Sequence, residues 1–475
     1  MVTPDRLDAA ARSRRLLEAP WRRFRRTGTR SALTAGLPGA PAVHELDVAP
    51  DLPDRDAERL RARIAELLAR RDTASQRVEA ASVAATYLSL SDTGRRRFLT
   101  MVGREFAAPR DTVDAAVRAV TDASGAAARR AAERDLRDAL TPASARLLHL
   151  FTGLGSGVKF LVDLRADLLR LGTDDPGRAD LDHELKAHLT TLFDVGLLEL
   201  RRITWDAPAS LLEKLIDYEA VHAIESWADL ENRLDSDRRC FAFFHPSMPN
   251  EPIVFVEVAL TRGIVGELPV LLDEEAPDLD VAHADTAIFY SISSCQPGLA
   301  GVNLGNALIK QVVERLATEL PGVRTYATLS PVPAFADWCT TRLGDDDLTP
   351  GERALLPPGA TAAEVGATLR DPDWPNDRTR ALALRPLVLA LAARLLTTTR
   401  DARVQDPVAN FHLANGASVD RLNWMADPSP TGLARSAGVM ATYRYEPEHL
   451  SARAEAYIAD GAVAAGDAVR ALLPD

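Results

Sequence analysis

Two residues in the second half of the chain have side chains suited to proton transfer. Ser330 directly follows the strand-like run Thr325–Leu329, so we expect its hydroxyl at the carboxyl end of a strand, where α/β proteins usually bind ligands. His412 lies between two apolar residues, and an imidazole can give or take a proton near neutral pH. Local sequence leaves a structural alternative open for each: a turn or helix cap for the serine and a hydrogen-bonded core residue for the histidine.

Three further polar residues are candidates for a site. Glu257 lies inside the apolar run Ile253–Leu260, where a carboxylate must reach solvent, find a partner or have a raised pKa. Asn415 and Asn423 follow His412 within a short stretch, and their amides can both donate and accept hydrogen bonds.

A strand predicted over Val439–Tyr445 presents aromatic residues on one side. Alternation along a strand puts Tyr443 and Tyr445 on one face and Arg444 on the other. Core packing with a solvated arginine is the structural alternative to a role in a site.

A strand-like run, Ile288–Ile292, is followed by a glycine-bearing loop and a helical pattern. Gly298, Gly301 and Gly305 punctuate the loop, and apolar residues recur at helical spacing from Leu308 onward. The first N–H groups of such a helix are free and lie at the positive end of its dipole, so they suit a phosphate. The arrangement predicts a nucleotide-bearing anion as ligand, with a plain turn as the alternative. It lacks the Gly-Lys-Ser/Thr of kinase and ATPase loops and the GxGxxG of dinucleotide folds.

The composition is that of an ordinary globular protein with two or three domains: 475 residues, 46% hydrophobic and 26% charged. The formal net charge of −12 argues against a nucleic-acid partner, because phosphate contacts need a surplus of Lys and Arg. No apolar run approaches about 18 residues, so we expect no membrane span. Three cysteines without ligand spacing argue against a zinc site or a disulfide scaffold and favour a reducing cytoplasm.

The chain is predicted to have three segments. They are a flexible leader rich in Arg, Pro and Gly at 1–50, a helical scaffold or oligomerisation domain at 51–190, and a mixed α/β domain at 191–475. Strand-like runs in the last segment are Cys240–Phe244, Ile253–Leu260, Ala287–Ile292, Thr325–Leu329 and Val439–Tyr445. Helical patterns cover 208–221, 304–320, 378–398 and 448–473. The segment Leu343–Asp377, rich in Asp, Pro and Gly, is predicted to be a long surface excursion.

Six segments stand in the order and spacing of one known family. They are Cys240–Pro249, Ala287–Ser293, Gly298–Gly305, Leu329–Pro333, Asn410–Leu413 and Asn423–Asp427. Through them the chain closely resembles the malonyl-CoA decarboxylases over most of 200–446, and more weakly in the helical segment Lys159–Asp167. The resemblance implies a multidomain α and α/β fold, with an N-terminal all-helical domain, a GNAT-like mixed α/β catalytic domain and a homo-oligomer, commonly a tetramer. It also implies conversion of malonyl-CoA to acetyl-CoA and CO2 without a metal or organic cofactor, in malonate catabolism or fatty-acid metabolism.

The resemblance also assigns residues. The family's catalytic serine and histidine match Ser330 and His412, and a tyrosine among its active-site groups matches Tyr445. We expect Ser330 to engage the malonyl carboxylate or the nascent enolate, and His412 to donate a proton to carbon. The coenzyme A loop matches Ala300, Gly301, Val302, Asn303, Leu304, Gly305 and Asn306.

One loop position departs from the family pattern. Animal members have Glu where this chain has Asn303, so a glutamate that orients the histidine does not carry over. Either Asn303 is a neutral orienter or a carboxylate such as Glu257 acts from elsewhere. Asn415, Asn423 and Tyr445 are candidates for orienting the thioester.

Two other functions remain open from the sequence. A GNAT-like fold more often transfers an acyl group, which predicts an acyl-CoA-dependent N-acyltransferase with Glu257 as general base. A non-catalytic acyl-CoA sensor, in contrast, would bind coenzyme A tightly without turnover.

Overall fold

The computed structural model describes residues 46–277, 279–302, 304–342, 344 and 347–474. The chain divides into two compact units. The helical unit takes the described part of 1–198 together with 245–250 and 296–302, and the sheet unit takes the described part of 199–244, 251–295 and 303–475. The leader predicted at 1–50 lies almost wholly outside the described residues. No helix within the described ranges is both long and apolar enough to cross a bilayer.

The helical unit is built from amphipathic helices, as the periodicity of its sequence predicts. Leu60, Ile64, Leu67 and Leu68 form the buried stripe of its first helix, because residues three and four apart lie on one helical face. The described helices are α1 (Asp54–Ala69), α2 (Thr73–Ser89), α3 (Asp92–Glu105), α4 (Arg110–Asp122), α5 (Ala126–Leu140), α6 (Ala143–Thr152), α7 (Gly157–Leu171) and α8 (Pro176–Leu192). The predicted N-terminal helical region is confirmed.

One hairpin of this unit differs from the rest. Helices α4 and α5 pack on each other, but α4 has no buried residue and α5 buries only Ala132. Val117 and Leu140 keep 47% and 54% of their surface exposed. The hairpin therefore presents apolar side chains to solvent.

An eight-stranded mixed sheet organises the second unit, with strand order β1-β2-β3-β4-β5-β10-β6 and β9 paired to β10. Strands β4 and β5 are parallel, and the pairs β1–β2, β3–β4, β5–β10, β6–β10 and β9–β10 are antiparallel. The strands are β1 (Glu199–Ile203), β2 (Arg238–His245), β3 (Met248–Thr261), β4 (Thr286–Ser294), β5 (Thr325–Thr328), β6 (Ser330–Pro331), β9 (Ser418–Asn423) and β10 (Met440–Tyr445). A separate pair is β7 (Thr399–Arg400) with β8 (Arg403–Val404). All five predicted strands and the mixed α/β region are confirmed.

Helices connect and cover the strands. The parallel pair β4–β5 needs a crossover, and α12 supplies it. The helices are α9 (Ala209–Tyr218), α10 (Trp227–Arg233), α11 (Leu268–Leu271), α12 (Gly305–Glu319), α13 (Phe335–Arg342), α14 (Pro350–Ala354), α15 (Ala362–Arg370), α16 (Arg378–Thr397), α17 (Pro407–Ala414), α18 (Pro430–Ser436), α19 (Leu450–Asp460) and α20 (Asp467–Arg470). Those predicted at 208–221, 304–320 and 378–398 are confirmed to within a few residues.

The prediction of a surface excursion over Leu343–Asp377 is wrong for the residues that the structure describes there. Helices α14 and α15 lie in this segment, and Val365, Leu369 and Trp374 are buried. Both helices begin with a capping box, Thr349 with Glu352 and Thr361 with Glu364. In each box the threonine accepts from a backbone N–H and the glutamate reaches back to the cap, which satisfies the first turn of a short helix.

The prediction of one helix over 448–473 is also wrong. Helix α19 ends at Gly461, whose φ of +67° is the left-handed conformation typical of a helix C-terminus. The chain then runs beside β9: Val419 N–H donates to Ala464 O, and Gly466 N–H donates to Val419 O. Among the residues described after it, up to 474, the four-residue α20 is the only further helix.

Candidate active site

Ser330 and His412 meet in the sheet unit, although 82 positions separate them in sequence. Ser330 Oγ lies 3.0 Å from His412 Nε2. Strand pairing brings the serine there, because Ala441 of β10 stands opposite Ser330 of β6. The histidine comes from α17, and both side chains are buried. The structure thus brings together the two residues on which the predicted proton transfer depends.

The direction of the serine hydroxyl is set by Thr328. Ser330 O–H donates to Thr328 Oγ1 at 2.9 Å, and the same oxygen accepts the backbone N–H of Tyr443 at 3.2 Å. A serine hydroxyl has one proton to donate. Since that proton points to Thr328, the contact between His412 Nε2 and Ser330 Oγ requires an Nε2–H donor.

The other face and the other nitrogen of the imidazole are held by tyrosines. Tyr445 Oη lies 2.8 Å from His412 Nδ1. With the proton on Nε2, Nδ1 has a lone pair, so Tyr445 O–H is the donor. Tyr443 stacks on the imidazole with ring centroids 4.3 Å apart and planes 25° apart. The alternation predicted for β10 is confirmed, since both tyrosines face His412.

Burial sets the charge of this histidine. The imidazole is fully enclosed, and burial lowers the pKa of His412 from 6.5 to about 3, because a charged ring loses its hydration there. Burial also raises the pKa of Tyr445 well above its usual range. The resting pair is therefore a neutral imidazole and a neutral phenol at physiological pH.

The helix that presents His412 is short and firmly capped. Asp406 accepts the N–H groups of Val408 and Ala409, at 3.0 and 2.9 Å, and Pro407 occupies the first turn. A proline there loses no helical hydrogen bond, and the aspartate satisfies N–H groups that the helix leaves free. These caps fix the orientation from which the imidazole reaches Ser330.

Asn415 and Gly416 end the same helix. Asn415 Nδ2 donates to Phe411 O at 2.6 Å, while its buried Oδ1 has no partner within the described residues. Gly416 has φ +82°, and a Cβ there would lie 1.9 Å from Leu450 O, so only glycine fits the turn. The structure therefore places Asn415 beside the histidine helix as a cap.

Asn423 lies on β9 and holds the neighbouring strand. Its Nδ2 donates to Thr442 Oγ1 at 2.9 Å and to Met440 O at 3.3 Å. These bonds join β9 to β10, which carries Tyr443 and Tyr445. Asn423 thus supports the site and has no contact with Ser330 or His412 among its hydrogen bonds.

Glu257 has both a partner and a raised pKa, two of the outcomes that its place in an apolar strand predicted, but the partner is Arg233 and not His412. Its Oε2 accepts Arg233 Nη1 at 3.1 Å, and Arg233 also binds Asp229 at 2.7 Å. Burial raises the pKa of Glu257 to about 8 despite the nearby guanidinium. The structure does not bring Glu257 to His412, whose Nδ1 contacts Tyr445 instead.

The glycine loop divides between the two units. Ala300 and Gly301 are exposed residues of the helical unit, with φ +76° at Gly301. In the sheet unit Leu304 is buried, and α12 begins at Gly305, where a Cβ would lie 2.6 Å from the Phe411 ring.

That close approach packs the start of α12 against the residue before His412. Val302 is half-buried. Asn303 and the side chain of Asn306 lie outside the described residues.

Three residues that contact the site were not assigned a role in it from the sequence. The sequence indicates an ordinary strand residue at Thr328 and a core residue at Tyr443. Their contacts with Ser330 and His412 form only when the strands pair. Asp406 could have been found, since Asp followed by Pro is a typical start of a helix. It would have predicted that His412 lies on a capped helix.

Comparison with known proteins identifies the family. Models described as the malonyl-CoA decarboxylase C-terminal domain and N-terminal domain match residues 196–475 and 106–193. The mitochondrial malonyl-CoA decarboxylase of Anser anser anser is 37% identical over 356 residues, which are 71% of each chain.

Two solved structures agree. Malonyl-CoA decarboxylase from Agrobacterium vitis matches with TM-score 0.80 and 38% identity, covering 87% of this chain and 99% of that one. The enzyme from Rhodopseudomonas palustris matches with TM-score 0.78 and 39% identity over the same shares. The chain, with its helical region, its mixed sheet and its buried serine–histidine pair, belongs to the malonyl-CoA decarboxylase family.

Proposed function

We propose that the chain converts malonyl-CoA to acetyl-CoA and CO2 with Ser330 and His412 as its catalytic pair. Family membership supports the reaction, and the 3.0 Å contact between Ser330 Oγ and His412 Nε2 is the observation that carries the assignment of roles. Breaking the bond between the α-carbon and the carboxylate leaves its electron pair in an enolate. Hydrogen-bond donors placed beside the thioester oxygen lower that barrier by several kcal/mol in comparable sites.

The reaction consumes one proton, and His412 is its donor in this proposal. At rest the imidazole is neutral because it is buried. The arriving malonyl carboxylate puts a negative charge beside the ring, which favours the imidazolium and draws a proton into the site. Once CO2 leaves, the enolate carbon takes this proton from Nε2. The Ser330 hydroxyl, which donates to Thr328 in the resting site, turns to donate to the enolate oxygen, and His412 returns to its neutral form.

Tyr445 suits a histidine that changes charge during the cycle. A phenol hydroxyl can donate to Nδ1 of the neutral ring and can turn to accept from Nδ1–H of the imidazolium. It therefore keeps the 2.8 Å contact in both forms without adding a charge of its own. This role makes Tyr445 a positioning residue rather than the source of the proton.

Coenzyme A is part of the substrate, and Ala300–Asn306 are proposed to bind it. The proposal includes no metal and no organic cofactor, since an enolate next to a thioester needs only hydrogen-bond donors and a proton.

The decisive experiment measures CO2 and acetyl-CoA formed from malonyl-CoA by purified protein treated with EDTA. The Ser330→Ala and His412→Asn variants should lose activity by about 100-fold or more, since acid–base groups contribute on the order of 10²–10⁴. Thr86→Val is the matched control, because it removes a buried hydroxyl of the helical unit that contacts neither catalytic side chain. Absence of turnover in the wild type would refute the decarboxylase activity. Full activity in either variant would refute the catalytic role of the residue replaced.

The alternatives are less well supported. An N-acyltransferase needs a free base near the acyl group, whereas Glu257 is bound to a buried arginine. A sensor would bind coenzyme A without releasing CO2, and the same assay excludes it.

We also propose that the chain forms a homo-oligomer, a tetramer on the family's pattern, through the scaffold domain at 51–190. The exposed apolar residues of the α4–α5 hairpin are the proposed contact. Light scattering on Val117→Lys and Leu140→Lys variants tests this: a smaller assembly is expected, and an unchanged mass would contradict it. We propose separately that the protein acts in the cytoplasm, in malonate breakdown or in fatty-acid metabolism.

A further inference from the structure

One buried carboxylate contacts both segments that carry the catalytic pair. Asp406 is fully buried and lies at the start of α17, six residues before His412. Its Oδ1 accepts two N–H groups of the first turn, at 3.0 and 2.9 Å, and so caps the helix. Its Oδ2 accepts the N–H of Ala334 at 3.0 Å, and Ala334 lies four residues after Ser330. The side chain therefore joins the helix of the histidine to the segment that follows the serine.

The segment 331–334 has few backbone donors by which it can be held. Two of its four residues are prolines, which have no N–H. The N–H of Val332 donates to Ser436 Oγ of α18 at 3.1 Å, and the N–H of Ala334 donates to Asp406. These two side-chain acceptors therefore fix the course of the chain directly after the serine.

The residue type suits this link better than it suits a cap. Ser and Asn cap helices about as well as Asp, so capping alone does not need a charge. Serving two segments needs two acceptor oxygens and no donor, which an ionised carboxylate provides and an amide does not. Burial raises the pKa of Asp406, while its N–H partners oppose the shift. A charge is costly in this place, and the contact with Ala334 is the feature of the structure that requires it.

Asp406 can act on His412 through position rather than through charge. Burial, followed by the charge of Asp406, raises the pKa of Tyr443, so the carboxylate lies near the ring that stacks on the imidazole. The lowered pKa of His412, in contrast, has burial as its cause. What the carboxylate can change is therefore the placing of the imidazole against the serine.

We propose that Asp406 is a positioning residue of the site: it holds the segment after Ser330 against the start of α17 and so sets the 3.0 Å contact between Ser330 Oγ and His412 Nε2. The inference rests on the proposed function for the reaction that it affects. It assigns Asp406 no contact with substrate and no proton transfer. A displacement of about 1 Å in a catalytic group can cost on the order of 100-fold in rate, so such a link affects turnover although it lies outside the chemistry.

The experiment replaces Asp406 by asparagine and measures CO2 release from malonyl-CoA. Asp406→Asn keeps one acceptor oxygen for the helix cap, but the amide NH2 faces the N–H of Ala334, and two donors repel each other. We expect kcat to fall by about 10-fold or more, because the serine segment moves away from the imidazole. KM should stay near that of wild type, because Asp406 has no contact with substrate in this proposal.

Asp377→Asn is the matched control. That aspartate caps α16 by accepting the N–H of Arg380 at 3.0 Å, and among the described residues it has no hydrogen bond to either catalytic segment. Its kcat should equal that of wild type. Thermal melting reports whether each variant is folded. If Asp406→Asn is not, Asp406→Ser takes its place, because the shorter side chain can cap α17 without reaching Ala334.

A double-mutant cycle separates positioning from general damage. Single-turnover CO2 release measures the residual rate of Ser330→Ala with and without Asp406→Asn. If Asp406 acts by placing Ser330 against His412, the second change should lower that rate little further, because the contact is already lost. Losses that multiply would overturn the inference, and so would a wild-type kcat in a folded Asp406→Asn or Asp406→Ser variant.

The position of the imidazole can also be measured without turnover. The proton on His412 Nε2 is hydrogen-bonded to Ser330, its NMR chemical shift reports the length of that bond, and its loss in His412→Asn identifies the signal. Asp406→Asn should move the signal upfield as the bond lengthens, and Asp377→Asn should leave it in place. An unchanged shift in Asp406→Asn would overturn the inference. A wild type that releases no CO2 would instead refute the proposed function, and the His412 signal would still decide whether Asp406 positions the imidazole.

Discussion

Replacing Thr328 by valine should impair the chemical step while leaving substrate binding intact. Valine keeps the shape of threonine but removes the oxygen that accepts Ser330 O–H at 2.9 Å and Tyr443 N–H at 3.2 Å. The freed serine proton then turns to His412 Nε2, a nitrogen lone pair only 3.0 Å away. That contact favours the tautomer with its proton on Nδ1, so Nε2 no longer carries the proton that the enolate needs.

The magnitude follows from the two lost hydrogen bonds. One buried N–H left without an acceptor lowers the free energy of unfolding by about 1–3 kcal/mol. The lost preference for one tautomer is about one ordinary hydrogen bond, near 1–1.5 kcal/mol. Since about 1.4 kcal/mol corresponds to a factor of ten, kcat should fall by about 10-fold.

Steady-state kinetics of CO2 release and urea unfolding measure the two effects. Thr328→Ser is the control, because it keeps the accepting oxygen and should retain kcat to within about threefold. A valine variant with wild-type kcat would refute the reasoning that Thr328 sets the proton direction. Equal decreases of kcat in the serine and valine variants would show that the effect comes from altered packing and not from the lost oxygen.

Three further outcomes are expected. Tyr445→Phe should lower kcat by about 10-fold, the equivalent of one hydrogen bond to His412, with KM nearly constant; an unchanged kcat in CO2 release would contradict this role. Between pH 6.5 and about 3, His412 is protonated in the unfolded chain but not in the folded chain. The free energy of unfolding should therefore decrease by up to about 1.4 kcal/mol for each unit by which the pH is lowered. The free energy of unfolding of His412→Asn, measured by urea titration, should decrease less steeply with falling pH than that of wild type over this range. Parallel pH dependences would contradict the buried neutral imidazole. Arg233→Met should lose about 3–5 kcal/mol of stability, because it leaves Asp229 buried without its cation. Adding Asp229→Asn should recover part of this loss in urea unfolding, whereas full stability in the single variant would show that the ion pair contributes little.

The strands around the site were predictable because each has a local signal. Apolar and β-branched residues in Ile253–Leu260 and Ala287–Ile292 report strands buried on both faces, and the order of motifs around Ser330 and His412 identified the family. Thr328 was not predictable as part of the site, since the role of its oxygen exists only once β5, β6 and β10 lie side by side. Pairing at that distance in sequence has no local signature.

The errors have a different cause. The composition of Leu343–Asp377 predicts a loop, because Pro and Asp are common in loops, but both residues also begin helices. Two capping boxes in the segment carried the correct information. At 448–473 the helical periodicity continues past Gly461, whereas glycine in the left-handed conformation commonly ends a helix.

A tyrosine beside His412 explains why this site needs no carboxylate orienter. An aspartate or glutamate on Nδ1 would stabilise the imidazolium at all times, and the ring would then hold its proton before substrate arrives and give it up less readily afterwards. The neutral phenol of Tyr445 leaves the pKa of His412 under the control of burial. In the proposed mechanism, the malonyl carboxylate is therefore the charge that favours protonation of the ring. Departure of that carboxylate as neutral CO2 removes the same charge and favours release of the proton to carbon. In this proposal, the burial that makes His412 a poor base at rest also makes its acidity depend on whether the substrate carboxylate is present.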